Sequence, residues 1–211
     1  MPRGSERLTR ARKEEIVNAC AALYQTMPFK DITIKEIGKV TSLTRTSIYT
    51  YFQTKEEIFL ALLQREYELW RADLDQLRAD HAALSAHQFA DALAHSLEKR
   101  GQLLKIMSMN HYDMEGSSRM ENLVAFKEAY GAAIQAVRRC LEQFFPKMTP
   151  QDIQTFLYVF FPFLFGIYPY TVVTDKQRQA MDKAGANYVF YSLYELTYAC
   201  VKRLLEGFDA G

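Results

Sequence analysis

The chain has 211 residues, a formal net charge of +1 and a hydrophobic fraction of 49%. This apolar content excludes an intrinsically disordered chain, and the length allows one domain or two small ones with a sizeable core. Cys20, Cys140 and Cys200 have neither metal-ligand nor redox spacing, which favours core positions in a reducing compartment over a disulfide framework. The charged start "MPRGSERLTRARK" lacks the apolar run of a secretory signal. We therefore expect a cytoplasmic protein that carries no cofactor.

Charge is distributed unevenly along the chain. Residues 1–57 contain ten Lys/Arg against seven Asp/Glu, whereas residues 58–211 contain 16 against 18. The first 13 residues hold five basic side chains and a single glutamate. This segment is either a basic arm that lies along phosphates or a frayed, solvated terminus, and its composition is equally compatible with both.

Helical spacing of apolar residues dominates the sequence, so we predict an all-α fold. Ile16, Cys20, Leu23 and Met27 share one face of a first helix that ends before Pro28. Later helices are predicted from N-cap signals and apolar spacing. The expected spans are a fourth helix to about Asp80, a fifth starting at Ser85, a sixth over Leu103 to about Tyr112, a seventh starting at Ser118, an eighth starting at Thr149, and a last helix over roughly Ala186 to Leu205.

Two short helices are predicted between the first and the fourth. Thr33 with Glu36 forms a capping box for the second helix, Thr44 caps the third, and Thr54 with Glu57 caps the fourth. Two short helices joined by about three residues, from residue 33 to residue 52, make a helix-turn-helix. In such a unit the N-terminal residues of the second helix enter the major groove of DNA.

The stretch "TSLTRTSIYTYF" fits that placement, because its start is polar and Ile48 and Phe52 face the core. Arg45 suits a guanine edge, and the methyl group of Thr46 suits a thymine. The hydroxyls of Tyr49 and Tyr51 can reach phosphate oxygens. The alternative is an aromatic cluster that only packs a three-helix bundle, but packing alone does not require the hydroxyl-rich start.

Over about residues 9–60 the sequence resembles the tetracycline-repressor (TetR) family of dimeric bacterial transcription regulators. The resemblance rests on "FKDITIKEIGKV" and "LTRTSIYTYFQTKEEIF"; Gly38, Ser42 and Thr46 depart from the family pattern. It implies an N-terminal helix-turn-helix head, residues 1–54 with the basic arm, and a helical effector-binding and dimerisation body, residues 55–211. The implied DNA-binding residues are Thr33, Lys35, Thr44, Arg45, Thr46, Ser47, Tyr49, Thr50, Tyr51 and Lys55.

The last predicted helix carries two apolar stripes, so it needs cover on two sides. One side can be the chain's own body and the other a partner subunit, although burial within a single subunit is the alternative. The stripe expected at a homodimer interface is Tyr191, Tyr194, Tyr198, Val201 and Leu205; the other stripe is Val189, Leu193, Leu196, Cys200 and Leu204.

Residues 153–174 carry no charge and are long enough for a membrane span. We reject a span because Pro162, Gly166 and Pro169 interrupt the segment and no Lys/Arg bias anchors its ends. A kinked helix that lines a cavity and a dimer interface accounts for it better. The predicted protein therefore has no membrane partner.

The effector site is expected where aromatic, methionine and isolated polar side chains meet, and it would suit an apolar or aromatic molecule. Plain core packing is an equally good interpretation of each candidate. The candidates are Tyr67, Trp70, Met107, His111, Phe126, Tyr130, Phe161 and Phe165.

His87, Asp91 and His95 have a spacing that could hold a metal, but we expect them on a solvated helix face, with no metal site. No catalytic set or nucleotide loop stands out, so an enzyme is not predicted. The sequence favours a homodimeric, ligand-responsive repressor that an effector releases from a palindromic double-stranded DNA operator. A helical dimeric scaffold or enzyme that does not bind DNA is the alternative.

Overall fold

The computed structural model describes residues 3–109 and 111–208, apart from the side chains of residues 3, 4 and 111. Within these residues the fold contains helices and no strand, so the predicted all-α class is confirmed. The helices are α1 (Arg3–Thr26), α2 (Ile34–Lys39), α3 (Arg45–Tyr49), α4 (Lys55–Asp80), α5 (Ala86–Glu98), α6 (Gly101–Met107), α7 (His111–Gly116), α8 (Met120–Phe144), α9 (Pro150–Thr171), α10 (Asp175–Lys183) and α11 (Leu193–Leu204), with a 3-10 turn at Phe29–Asp31.

The helices form two compact units. The first unit comprises Met1–Glu66 and Asn110–Tyr130, and the second comprises Tyr67–Met109 and Gly131–Gly211. The chain therefore crosses between the units three times: within α4, between α6 and α7, and within α8. The first unit thus includes the start of α4 and all of α7 in addition to the segment 1–54 predicted as the head.

The core of the first unit is built on α1. Ile16 and Cys20 of α1 are fully buried, as are Ile37 of α2 and Ile48 of α3. Burial raises the pKa of the Cys20 thiol to about 12, so this cysteine is an inert core residue, as its spacing predicted. Residues 3–13 belong to α1, so the basic segment is a helical extension of that helix.

In the second unit, α5, α6, α9 and α11 pack together. Trp70 of α4 is fully buried, and its Nε1 donates to Ser96 Oγ at 3.0 Å. The Ser96 hydroxyl in turn donates to the Leu93 carbonyl at 2.8 Å. The indole N–H and the buried hydroxyl thereby find hydrogen-bond partners, as most buried polar groups do.

The helices of the body differ from the prediction in three places. The predicted sixth helix, Leu103 to about Tyr112, is divided into α6 and α7. Helix α10 was missed, although Thr174 and Gln177 form a capping box at its start. The last helix begins only after Ser192, and the residues from Gly185 (φ +62°) to that cap are not helical. The prediction rests on apolar spacing alone, which continues through these non-helical residues.

The residues of the expected dimer stripe lie in different environments. Tyr191 lies outside α11, while Val201 and Leu205 are fully buried within the chain. Tyr194 Oη donates to Asp91 Oδ1 of α5 at 2.6 Å, and the Tyr198 ring lies 5.3 Å from the ring of His87. Tyr194 and Tyr198 therefore contact α5 of the same chain, Val201 and Leu205 are core residues, and Tyr191 is exposed.

His87, Asp91 and His95 remain accessible to solvent, as expected. His87 and His95 are exposed and Asp91 is half-buried, although the tyrosines of α11 lie beside them; the rings of His95 and Tyr194 are 4.6 Å apart. Among the described residues, no group of three or more His, Cys, Asp and Glu side chains is placed to hold a metal ion.

Helix α9 has one buried and one exposed apolar face. Its buried face includes Phe156 and Phe160, whereas Tyr158 is 74% exposed on the other side and Tyr170 is exposed as well. The helix is long and apolar enough to cross a membrane, and 39% of the 18-residue window that meets this test is buried within the chain. A core helix of a soluble protein meets the same criteria of length and composition, so this is weak evidence for a span.

Candidate nucleic-acid interface

The helix-turn-helix begins and turns where the capping signals predicted. Thr33 Oγ1 accepts a hydrogen bond from Glu36 N, and Thr44 Oγ1 accepts one from Ser47 N, both at 3.2 Å. These caps satisfy amide groups that the helix starts would otherwise leave free. Helix α3 is a single turn that ends at Tyr49, and Ile48 is buried beneath it. The polar start of α3 is therefore held at the surface by the apolar side chain at its centre.

A surface depression runs between the start of α2, helix α3 and the start of α4. It brings together five of the predicted DNA-binding residues, while Thr44, Thr46, Ser47, Thr50 and Tyr51 do not line it. Thr44, Thr46 and Thr50 are nevertheless exposed, and Ser47 and Tyr51 are half-buried. The lining residues are Thr33, Ile34, Lys35, Arg45, Tyr49, Gln53, Thr54 and Lys55.

Lys55 has partners within the first unit. Its Nζ donates to the Phe29 carbonyl oxygen at 2.9 Å and lies 4.1 Å from the centroid of the Phe29 ring. The ammonium group therefore fixes the 3-10 turn against the first residue of α4, besides facing the depression. The sequence had assigned Lys55 only to phosphates, because a contact across 26 residues leaves no local pattern.

Helix α1 supports the turn between α2 and α3. Arg12 Nη1 donates to Ser42 Oγ at 2.9 Å, and Ser42 N donates to Glu15 Oε1 at 2.6 Å. Hydrogen bonding to Ser42 lowers the pKa of the Glu15 carboxyl. Ser42 departs from the family pattern, and the structure gives it a role in attaching the turn to α1. Arg12 of the basic segment is thus engaged within the protein.

The first turn of α4 contains a buried carboxylate, that of Glu57. It accepts hydrogen bonds from Gln53 N at 2.8 Å and from Arg119 N, Nε and Nη2 at 3.0, 2.7 and 3.0 Å. Burial alone raises the pKa of this carboxyl, but the hydrogen bonds from Arg119 and Gln53 outweigh burial and lower the pKa to about 2. Glu57 is therefore ionised under ordinary conditions.

Arg119 also contacts the connection between α3 and α4, because its Nη2 donates to the Tyr51 carbonyl at 3.0 Å. The predicted capping box at α4 is only half formed. Thr54 Oγ1 accepts from Glu57 N, but the Glu57 carboxylate bonds to Gln53 N and Arg119. Arg119 was not predicted as part of this site, because it lies 62 residues from Glu57.

The predicted effector residues lie in both units. In the second unit Tyr67, Trp70, Met107 and Phe161 are buried, and the rings of Trp70 and Phe161 are 6.0 Å apart; Phe165 is half-buried. In the first unit Phe126 is buried and stacks on the half-buried Tyr130 at 6.3 Å. The side chain of His111 lies outside the described residues.

Comparison with known proteins agrees with this architecture. Residues 16–62 match the model described as bacterial regulatory proteins, tetR family, and residues 64–211 match the one described as tetracyclin repressor-like, C-terminal domain. The chain is 28% identical over 80 residues to the HTH-type transcriptional regulator RutR of Escherichia coli K12 and to that of Shigella flexneri. These alignments cover 38% of this chain, and the chain spans 38% of the length of these curated relatives.

Similar solved structures share the fold at low sequence identity. The fatty acid degradation regulator FadR from Bacillus halodurans has a TM-score of 0.58 at 15% identity, covering 92% of this chain and 95% of that one. A protein of Mesorhizobium loti described as a TetR-family transcriptional regulator has a TM-score of 0.61 at 16% identity, covering 96% and 98%. Because the two family models together match most of the sequence, the chain belongs to the tetR family of bacterial regulatory proteins.

Proposed function

We propose that the protein is a DNA-binding transcriptional regulator that acts as a homodimer and responds to a small molecule. The observation that carries this proposal is the capped, exposed start of α3, where Arg45 and Tyr49 share a surface depression with Lys35. A short helix with a polar N-terminal end and a buried centre is the geometry by which such units enter the major groove. No catalytic role is proposed.

The depression offers two kinds of contact to a duplex. Lys35 and Lys55 supply positive charge and Thr33 supplies a hydroxyl, and such groups position a protein on the phosphate backbone. Arg45 and Thr46, at the start of α3, are exposed and can reach base edges. The expected binding is therefore salt-dependent for every sequence and stronger for particular base pairs.

Dimerisation is proposed through apolar surface that the second unit leaves uncovered. Tyr158, Val159 and Tyr170 of α9 are exposed on one side of that helix. Leu193, Leu196, Cys200 and Leu204 form the remaining stripe of α11 and are half-buried. A second copy of the chain would cover both stripes, and two-fold symmetry would match a palindromic operator.

The response to a small molecule is proposed to reside in the aromatic interior of the body. Trp70 and Phe161 of the second unit contact each other and would suit an apolar or aromatic molecule. Such a molecule would act by favouring a body conformation that binds DNA poorly, which makes the protein a repressor released by its ligand. The expected location is the cytoplasm, where its operator would lie.

Selection from a random duplex library tests the DNA-binding proposal and does not require that the operator be known. The wild-type protein should enrich an inverted repeat whose half-sites are separated by about one helical turn or a multiple of it. Arg45→Ala, run in parallel, should enrich a less defined motif. Recovery of no common sequence by the wild-type protein would contradict the proposal.

A further inference from the structure

We propose that Arg119 is a positioning residue for DNA recognition, which sets the attachment of the recognition helix α3 to the first turn of α4. This inference rests on the proposed function, because it concerns the same helix-turn-helix. Arg119 does not line the depression beside α3. It acts through Tyr51, Gln53 and Glu57, which join α3 to α4.

The joint between α3 and α4 is very short. Helix α3 ends at Tyr49 and α4 begins at Lys55, so only five residues decide how the recognition helix is oriented on α4. Arg119 Nη2 donates to the Tyr51 carbonyl oxygen at 3.0 Å, and Gln53 N donates to Glu57 at 2.8 Å. One guanidinium and one carboxylate therefore hold two of the five joint residues.

The chemistry of this pair favours a single geometry. Arg119 presents Nε and Nη2 to the two oxygens of Glu57, and its backbone N binds the same carboxylate. A planar fork that binds a carboxylate through two nitrogens fixes orientation as well as distance. The Glu57 carboxylate is fully buried, so losing Arg119 would leave a buried charge without its partner.

Arg119 also connects this joint to the rest of the chain. It immediately precedes α8 (Met120–Phe144), and the chain passes into the second unit within both α8 and α4. Thr54 Oγ1 donates to the Ser117 carbonyl at 3.2 Å, which adds a second link between the joint and the segment before α8. A displacement of the start of α8 would therefore be transmitted to the residues that follow the recognition helix.

A nearby ion pair provides a matched control. Lys127 Nζ bonds to Glu115 Oε1 at 2.6 Å and joins α8 to α7 within the same unit. Both side chains are partly exposed, and the pair lies outside the hydrogen-bond network of Arg119 and Glu57. Lys127→Gln removes a charged link of similar length without touching the joint.

The experiment compares affinity for a duplex selected by the wild-type protein with affinity for a random-sequence duplex of the same length. For Arg119→Gln we expect affinity for the selected duplex to fall on the order of tenfold or more, the scale of one lost base contact. Affinity for the random duplex should change less than about twofold, because the phosphate-binding side chains remain. Arg119→Lys should be intermediate, since an ammonium group cannot bind both Glu57 oxygens as a fork. Lys127→Gln should match the wild type on both duplexes.

The ratio of the two affinities separates positioning from general instability. Partial unfolding lowers both affinities together and leaves their ratio unchanged. The double variant Glu57→Gln/Arg119→Gln contains no buried unpaired charge, so it provides the same test if Arg119→Gln does not fold. A wild-type ratio in a folded Arg119→Gln or double variant would overturn the positioning role. Absence of any salt-dependent binding by the wild-type protein would instead overturn the proposed function, and this inference with it.

Discussion

The guanidinium of Arg45 lies over the ring of Tyr49, one helical turn further along α3. Arg45 Cζ is 5.6 Å from the ring centroid, and Nη2 donates to the Tyr49 hydroxyl at 3.3 Å. Arg45, which is expected at a base edge, is thus held by Tyr49, which is expected at a phosphate. The cation–π contact and the hydrogen bond reduce the freedom of the guanidinium and keep its remaining donors at the exposed start of the helix.

Substitutions at these two positions should have different signatures. Arg45→Ala should relax preference at particular base pairs, at a cost of about 1–3 kcal/mol for a bidentate contact. Tyr49→Ala should weaken binding to all sequences, because it removes a contact to the backbone, and should leave the salt dependence nearly unchanged, because tyrosine is uncharged. It should also relax part of the base preference, because Tyr49 holds Arg45. Competition binding against duplexes with single base-pair changes distinguishes the two. Equal losses across all base changes for Arg45→Ala would assign Arg45 to the phosphate backbone.

Local signals account for the parts of the structure that the sequence predicted well. The caps Thr33 and Thr44 act on amides three residues away, and the buried position of Ile48 follows from helical spacing. Such short-range patterns are visible in a sequence. They predicted the helix-turn-helix and the all-α class.

The contacts that were missed join distant segments. Arg119 reaches Glu57 across 62 residues, and Lys55 reaches the Phe29 carbonyl across 26. A single sequence contains no periodicity that reports such pairs. The burial of Val201 against its own unit was missed for a related reason, because an apolar stripe does not reveal which surface covers it.

Gly38→Ala should stabilise the protein. A Cβ at this position would meet Ile48 Cδ1 at 3.7 Å and the backbone atoms Arg45 N and Leu43 O at 3.9 Å, which are ordinary van der Waals contacts. Alanine in a helix is favoured over glycine by about 0.5–1 kcal/mol. Chemical denaturation measures the change in the free energy of unfolding. Destabilisation by Gly38→Ala would show that the tight turn does not accept a methyl group.

Gly185→Ala is the opposite case. The φ of Gly185 is +62°, which is unfavourable for alanine, so this substitution should destabilise the protein by about 1 kcal/mol.

The ionised Glu57 carboxylate should make stability depend on acid pH. The pKa of Glu57 is about 2 in the folded protein, whereas a glutamate in an unfolded chain has a pKa of about 4.3. A lowered folded-state pKa contributes stability that is complete above the unfolded-state pKa and is lost as the pH falls towards the folded-state value. The thermal midpoint of the wild-type protein should therefore decrease as the pH is lowered from about 4.5 to about 2. Part of this decrease should be absent in Glu57→Gln. Parallel curves for the two proteins over this range would exclude the contribution.

A charge placed on the exposed face of α9 should prevent dimerisation. Tyr158 is 74% exposed in the single chain, and Tyr158→Glu would bury an unpaired carboxylate if a second copy covers this face. Sedimentation velocity should change from a dimer to a species of 24.4 kDa. Tyr112 of α7 is 89% exposed, so Tyr112→Glu makes the same change on a helix of the first unit and should remain dimeric. A dimeric Tyr158→Glu variant would move the interface away from this face.

DNA reading by the helix-turn-helix is tested most directly by a fluorescence anisotropy titration of the wild-type protein at several salt concentrations. The two probes are the duplex obtained by selection and a scrambled duplex of equal length. We expect log affinity to fall linearly with log salt for both duplexes, and the selected duplex to bind at least about a thousandfold more tightly at physiological salt. Equal affinity for the two duplexes, or no dependence of affinity on salt, would contradict the claim that this helix-turn-helix reads DNA.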